Sequence, residues 1–292
     1  MQDRHPFSLA IDLEIIMMGY AHFDGDFFKM KETLDTNPAH PLHSFPNERL
    51  EEIFSFMERS PQNLLDTLPQ KAKEAVEEAK RFSKKMEQTI QEHPDSIEAK
   101  VNELIFYVGE NPFLLIDDLV MEGSEALPEL LKVLKNTHLY DPLYPGYGRS
   151  IPRIADALQG IQDKKAISPL FNALLEQNSL AEDPLLEALV SFGEDAQQFL
   201  LKILEERPFS LRSSYAAKAL YFLKSADVGF AAIDLLCDKE IYKHPGLMLY
   251  LIALLDALPD AERPSLIRQL LEETHFSSTH RKEIESFLVV QS

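Results

Sequence analysis

The second half of the chain repeats one short pattern four times, and that fixed period does most to limit its fold. Ala157-Leu158, Ala188-Leu189, Ala219-Leu220 and Ala253-Leu254 are each followed by two variable residues and an apolar one: Ile161, Phe192, Leu223 and Ala257. The steps between the alanines are 31, 31 and 34 residues. A period of this size marks a stacked array, in which each unit buries its apolar face only against its neighbours. Such an array offers a long surface for binding.

The length of 292 residues fits one extended array or two ordinary domains. An apolar content of 45% supports a packed core through most of the chain. Glycine is scarce and the prolines fall largely between the apolar stripes, as expected for many helices on tight connections. The expected class is therefore all-α.

Acidic side chains outnumber basic ones 48 to 29, for a net charge of −19. Nucleic acids are held chiefly by phosphate neutralisation, and anionic membranes by basic patches. An acidic chain is therefore expected to bind neither, and a basic protein surface suits it better. The apolar stretch Ile11 to Met18 is broken by Asp12 and Glu14, unlike a signal peptide, and no run of 18 apolar residues occurs. A cytoplasmic location is expected. The single cysteine, Cys237, fits a reducing compartment and is expected to pack inside a helix as a small hydrophobe.

Texture changes near Pro94. Residues 1–94 read as helical without a clear period, and residues 95–292 carry the repeats. In the first region Gln70 to Glu92 has an apolar stripe at Ala72, Val76, Ala79, Phe82, Met86 and Ile90, one face of a long helix. Its other face is charged and solvated, with Glu77 placed to meet Arg81. Asn47 is expected to cap a helix through Met57, and Asp95 with Glu98 to form a capping box. From Gly123 onward each unit reads as two helices. The first members are residues 126–135, 165–177, 196–206, 226–237 and 261–273; the second are 151–162, 183–192, 211–224, 245–258 and 279–290. Connections such as 192–195 are too short for anything but antiparallel neighbours.

These paired helices, with Ile167 to Leu175, Leu200 to Leu204 and Leu211 to Leu220 as the best-matching stretches, resemble HEAT-like repeats of the short phycobilin-lyase type. The likeness covers roughly residues 123–258. It implies an α-α superhelix, a HEAT-like α-solenoid, whose second helices line a concave docking face. The final unit, Glu285 to Val290, lacks the Ala-Leu pair, as a terminal cap does. Gly19 with Gly25-Asp26-Phe27 resembles the inter-helix turn of a tetratricopeptide repeat, which also implies paired helices. Repeats of this kind specify a fold and leave function open.

Taking the second helices as the docking face, the residue before each repeat alanine and the one a turn earlier are expected in the groove. These are Arg153 and Asp156, then Pro184 and Glu187, then Tyr215 and Lys218 with Tyr221, and finally Leu249 and Ile252 with Leu255. Tyr and Arg supply many interface hot spots, which singles out Arg153, Tyr215 and Tyr221. The aliphatic set either lines the groove or is covered by the final repeat. A second candidate is the Pro/Gly-rich connection carrying Tyr140, Tyr144, Tyr147 and Arg149. It reads either as a recognition loop on a rigid scaffold or as a cover for the edge of the first repeat.

His22, Asp24 and Asp26, with His40 and His43 nearby in sequence, are the best metal-ligand types in the chain. Asp-Gly-Asp is ordinary turn chemistry, and no metal or cofactor is expected. HEAT-like scaffolds include a di-iron hydroxylase with His-Glu dipeptides and a DNA glycosylase with a basic, Trp-containing groove. No histidine here precedes Glu, and the chain has no Trp. The expectation is a non-enzymatic scaffold or adaptor that binds another protein. The alternative is a protein handling a tetrapyrrole or other small ligand at the aliphatic end of the groove.

Overall fold

The computed structural model describes residues 7, 9–59, 63–109, 111–273 and 276–288. The chain is all-α: every regular element among these residues is a helix. No helix among them is long and apolar enough to cross a membrane. Two compact units are present, Met1–Asp163 and Lys164–Ser292.

The first unit holds α1 (Ala10–Phe23), α2 (Phe27–Thr36), α3 (Asn47–Arg59), α4 (Gln70–Glu92), α5 (Ile97–Phe106), α6 (Phe113–Glu122), α7 (Leu127–Leu134) and α8 (Ser150–Ile161). Helix α4 has the bounds its stripe predicts. Val76, Ala79 and Met86 are buried, and α4 packs against α1 and α5. That packing is why no compact unit ends at residue 94, where the texture of the sequence changes. The N-terminal helices and the first repeat fall in one compact unit, in which α5 packs against α6, α7 and α8.

Side-chain caps set some of the helix starts, and not always at the residue the pattern suggests. Asp26 caps α2 by accepting from the Lys29 amide. Ser96, not Asp95, caps α5 through the Ala99 amide. Asn47 opens α3 as its first helical residue, and the Pro46 carbonyl accepts from Arg49 and Leu50. Arg81 donates to the backbone carbonyl of Glu77 rather than pairing with its carboxylate. Gly19 lets α1 and α2 close together, because a Cβ there would collide with the Phe27 ring. One buried ion pair ties α1 to α3: Asp12 is fully buried and accepts from Arg49 Nε at 2.8 Å and from the Leu9 amide at 3.1 Å.

The second unit holds α9 (Ile167–Leu174), α10 (Glu182–Val190), α11 (Glu194–Glu205), α12 (Leu211–Leu220), α13 (Ala226–Leu236), α14 (Pro245–Leu254), α15 (Arg263–Glu273) and α16 (Ser278–Ser286). Successive helices pair: α9 with α10, α11 with α12, α13 with α14 and α15 with α16. The second members also touch in turn, α10 to α12 to α14 to α16. The expected end of the last helix, Val289 and Val290, lies outside the described residues. Cys237 ends α13 at its C-cap and is exposed, not packed inside.

Burial shows a more regular period than the Ala-Leu pairs do. Ile154, Leu185, Ala216 and Leu247 are buried at a constant step of 31 residues, as are Ala155, Leu186, Ala217 and Met248. Leu158, Leu189, Leu220 and Leu251 follow the same step. The backbone agrees: Gln162, Gly193 and Lys224 all have positive φ at the ends of their repeats. The Ala-Leu pair at 253–254 is therefore one turn out of register. Ala253 is half-buried, whereas Ala157, Ala188 and Ala219 are fully buried. Ion pairs also join successive repeats, Lys164 to Asp195 at 2.8 Å and Arg207 to Asp238 at 3.1 Å. Such exposed pairs contribute under about 1 kcal/mol each, while truncating one buried Leu costs about 2–5 kcal/mol. The apolar stripe sets the register and the ion pairs follow it.

Candidate functional site

The corrected register decides which groove expectations hold together. At the 31-residue step the position of Asp156 recurs at Glu187, Lys218 and Leu249. All four are exposed or half-buried, and Leu249 is 50% exposed. Ile252 was expected beside Leu249 only because the last Ala-Leu pair is displaced. It is buried, as is Leu255, and neither reaches a groove. The aliphatic end of the row thus packs into its own unit and leaves Leu249 alone at the surface.

Within the second unit, α10, α12 and α14 bring four polar side chains together. Lys218 of α12 forms a charged pair with Glu182 of α10. Tyr215, one turn before Lys218, and Tyr250 of α14 lie close enough to interact electrostatically with that pair. The Glu182 contact raises the Lys218 pKa, and burial followed by the Glu182 charge raises that of Tyr215. Beyond this cluster Tyr221 and Phe222 stand out from the end of α12, rings in edge-to-face contact at 5.6 Å. Lys224 lies over the Tyr221 ring at 5.6 Å. The pattern placed Tyr215, Lys218 and Tyr221. It missed Glu182, Tyr250 and Phe222, because their part depends on neighbouring repeats and not on their own helix.

Arg153 belongs to a different environment. It is buried in the first unit, donating to the carbonyls of Leu104 and Tyr107 at the end of α5, with its guanidinium over the Tyr107 ring. It serves as a C-cap for that helix, satisfying carbonyls that the helix leaves open. Burial, then the nearby Arg149 charge, lower its pKa. The expectation that it faces a partner is corrected on that geometry.

The tyrosine connection also turns inward. Tyr144 and Tyr147 are buried in one apolar core with residues of α1 to α4, so they neither form an exposed loop nor merely edge the first repeat. Tyr144 stacks on His138 at 4.4 Å and meets Phe82 of α4 edge-on at 5.5 Å. Tyr147 stacks on His22 at 4.0 Å and meets His40 edge-on at 5.0 Å. Tyr140 donates its hydroxyl to the Leu134 carbonyl, and Arg149 reaches the Ala39 carbonyl at 3.3 Å. Gly146, Tyr147 and Gly148 all have positive φ, at 86°, 55° and 73°. A Cβ on Gly146 would collide with Ser150 Oγ and lie 2.7 Å from the Ile105 carbonyl oxygen. The glycines let the chain bend tightly enough to drive Tyr147 between the two histidines, and Tyr147 itself sits in a strained region for a non-glycine residue.

His22 and His40 are held uncharged. Burial lowers the pKa of each to about 4, outweighing the Pro142 hydrogen bond that raises it for His22 and helped for His40 by the neighbouring His43 and Arg149. Their tautomers follow from their partners. The His22 Nε2–H donates to the Pro142 carbonyl at 3.1 Å, and His40 Nδ1 accepts from the Leu42 amide at 3.3 Å. Asp24 pairs with Lys80 at 2.8 Å, Asp26 caps α2, and the His43 Nε2–H donates to the Leu34 carbonyl at 3.1 Å. The five residues read from sequence as metal-ligand types are thus turned to separate tasks. Among the described residues no group of three or more His, Cys, Asp or Glu is placed to hold a metal ion.

No protein-family model matches the chain, and no curated protein matches it in sequence.

Proposed function

We propose that this chain is a helical-repeat interaction protein of the HEAT-like α-solenoid kind, a non-enzymatic scaffold that binds another protein on the second-helix side of its C-terminal unit. The observation that carries this reading is the set of large apolar side chains left open on α12 and α14. Tyr221 at the C-cap of α12, Phe222 just beyond it and Leu249 of α14 are 38%, 56% and 50% exposed. They accompany the Glu182–Lys218 pair, so the face combines aromatic anchors, an aliphatic contact and a charge pair, the mixture found at protein interfaces. The paired helices and the constant 31-residue burial step support the solenoid reading. A rigid face of this kind limits the ordering cost of association. With a net charge of −19, a partner of basic surface is favoured.

The test is affinity capture from a native lysate with the wild type and with Tyr221→Ala/Leu249→Glu, read by mass spectrometry after circular dichroism has shown that both fold alike. The reading predicts a protein retained by the wild type and lost by the variant. An identical captured set from both would move the site off this face.

A further inference from the structure

The loop that buries Tyr147 also forms one wall of an open cleft of about 720 Å³ in the first unit, facing α4. That volume is in the range of sites for small organic molecules. Three polar atoms at its inner wall have no hydrogen-bond partner among the described residues. They are the Tyr147 hydroxyl, the acceptor Nδ1 of His22 and the Nε2–H donor of His40. All three residues line the cleft, although Tyr147 is only 8% and His40 2% exposed overall. Ring contacts at 4.0 Å and 5.0 Å hold Tyr147 between His22 and His40, so the three side chains bring hydrogen-bonding groups to the same cleft. The chain reaches this arrangement at a backbone cost, with Tyr147 at positive φ between two positive-φ glycines. Strain of that sort gathers where a side chain must be held in one place.

The outer wall differs. Lys80 is matched by Asp24, but Arg81 and Lys84, three residues apart on α4, pair with no carboxylate among the described residues. Glu77 and Glu87 also line the cleft, one turn before Arg81 and one turn after Lys84, which confines the positive stretch to the middle of the wall. Phe106 and Val108 supply an apolar floor.

We propose that this cleft binds a small amphipathic organic anion, its uncharged hydrogen-bonding end at Tyr147, His22 and His40 and its anionic group at Arg81 and Lys84. The site lies in the other unit from the proposed protein-binding face and is independent of it. Anilinonaphthalene sulfonate, an aromatic body with one fixed negative charge, is a suitable probe. The full-length chain is titrated with it by fluorescence near neutral pH. Histidine imidazole signals are followed in parallel by NMR, assigned with His22→Gln and His40→Asn.

Saturable binding that shifts both imidazole signals is expected. Arg81→Glu/Lys84→Glu is expected to weaken it about tenfold or more, and Glu87→Gln to strengthen it. The exposed variant Leu180→Glu, away from the proposed protein-binding residues, controls for probe adsorbed on the second unit and is expected to leave the affinity unchanged. The proposal is overturned if no saturable binding occurs, if the Arg81/Lys84 variant binds as the wild type does while folding normally, or if the imidazole signals stay still.

Discussion

Arg153 and Tyr215 stand at the same point of the repeat, two 31-residue steps apart, and the chain uses them in opposite ways. In the first unit this position meets the open end of α5, and a guanidinium is buried to satisfy its carbonyls. In the second unit it meets the side chains of neighbouring helices, and the tyrosine stays partly exposed beside a charged pair. The contrast extends across the units. Asp12, His40, Asn102, Ser150 and Arg153 are buried polar residues of the first, whereas Ser213 is their counterpart in the second. A repeat preserves its apolar face and leaves its outer face to whatever lies nearby. Where irregular chain lies against it, as in the first unit, specific polar contacts replace the repeat's own logic.

Truncating the two matched residues tests that comparison most severely. Arg153→Ala strips donors from two carbonyls and is expected to cost about 2–3 kcal/mol in urea unfolding, against under about 1 kcal/mol for Tyr215→Ala. Equal losses would mean that both positions have the same structural weight.

Acid is the next lever, and it acts on the first unit through its neutral histidines. An unfolded histidine binds a proton below about 6.5, whereas His40 in the folded chain does so only below about 4. Protons therefore favour the unfolded state between those values, and stability that is complete above about pH 6.5 declines as the pH falls towards 4. The slope from His40 is up to about 1.4 kcal/mol per pH unit. Urea midpoints measured across this window should fall less steeply in His40→Asn than in the wild type. Parallel slopes would mean that His40 is not kept neutral by its burial.

The smallest effect concerns a feature the two units share. Gln162, Gly193 and Lys224 all have positive φ at successive repeat ends, and only one of them is glycine. Gln162→Gly is expected to raise stability by about 0.5–1 kcal/mol, since glycine adopts positive φ without penalty. A loss in thermal or urea midpoint would show that the side-chain bond from Gln162 to the Gln159 carbonyl outweighs the backbone gain.

Much of the fold could be read from local chemistry. The α4 stripe gave its bounds, and the repeat pattern gave the helix pairs. Asp26 and Ser225 mark helix starts by accepting from amides three residues on. The candidate face was half legible: Lys218, Tyr215 and Tyr221 follow from one helix, but Glu182 and Tyr250 enter only when neighbouring repeats pack. Ile252 was misplaced because an alanine-leucine pair is an imprecise ruler. Leu251 and Leu254 of α14 and Leu255 just after it are all buried, and composition cannot tell which turn carries the register.

What the sequence determined alone is what depends on neighbours a few residues away: all-α class, paired helices, turn sites and an acidic surface. Tertiary structure decided which side of each helix is covered and by what. Tyr144 and Tyr147 sit in a stretch rich in proline and glycine that reads as surface, yet three consecutive positive-φ residues carry them into a core built some hundred residues earlier in the chain. Burial of that kind is set by long-range packing, and no local pattern records it.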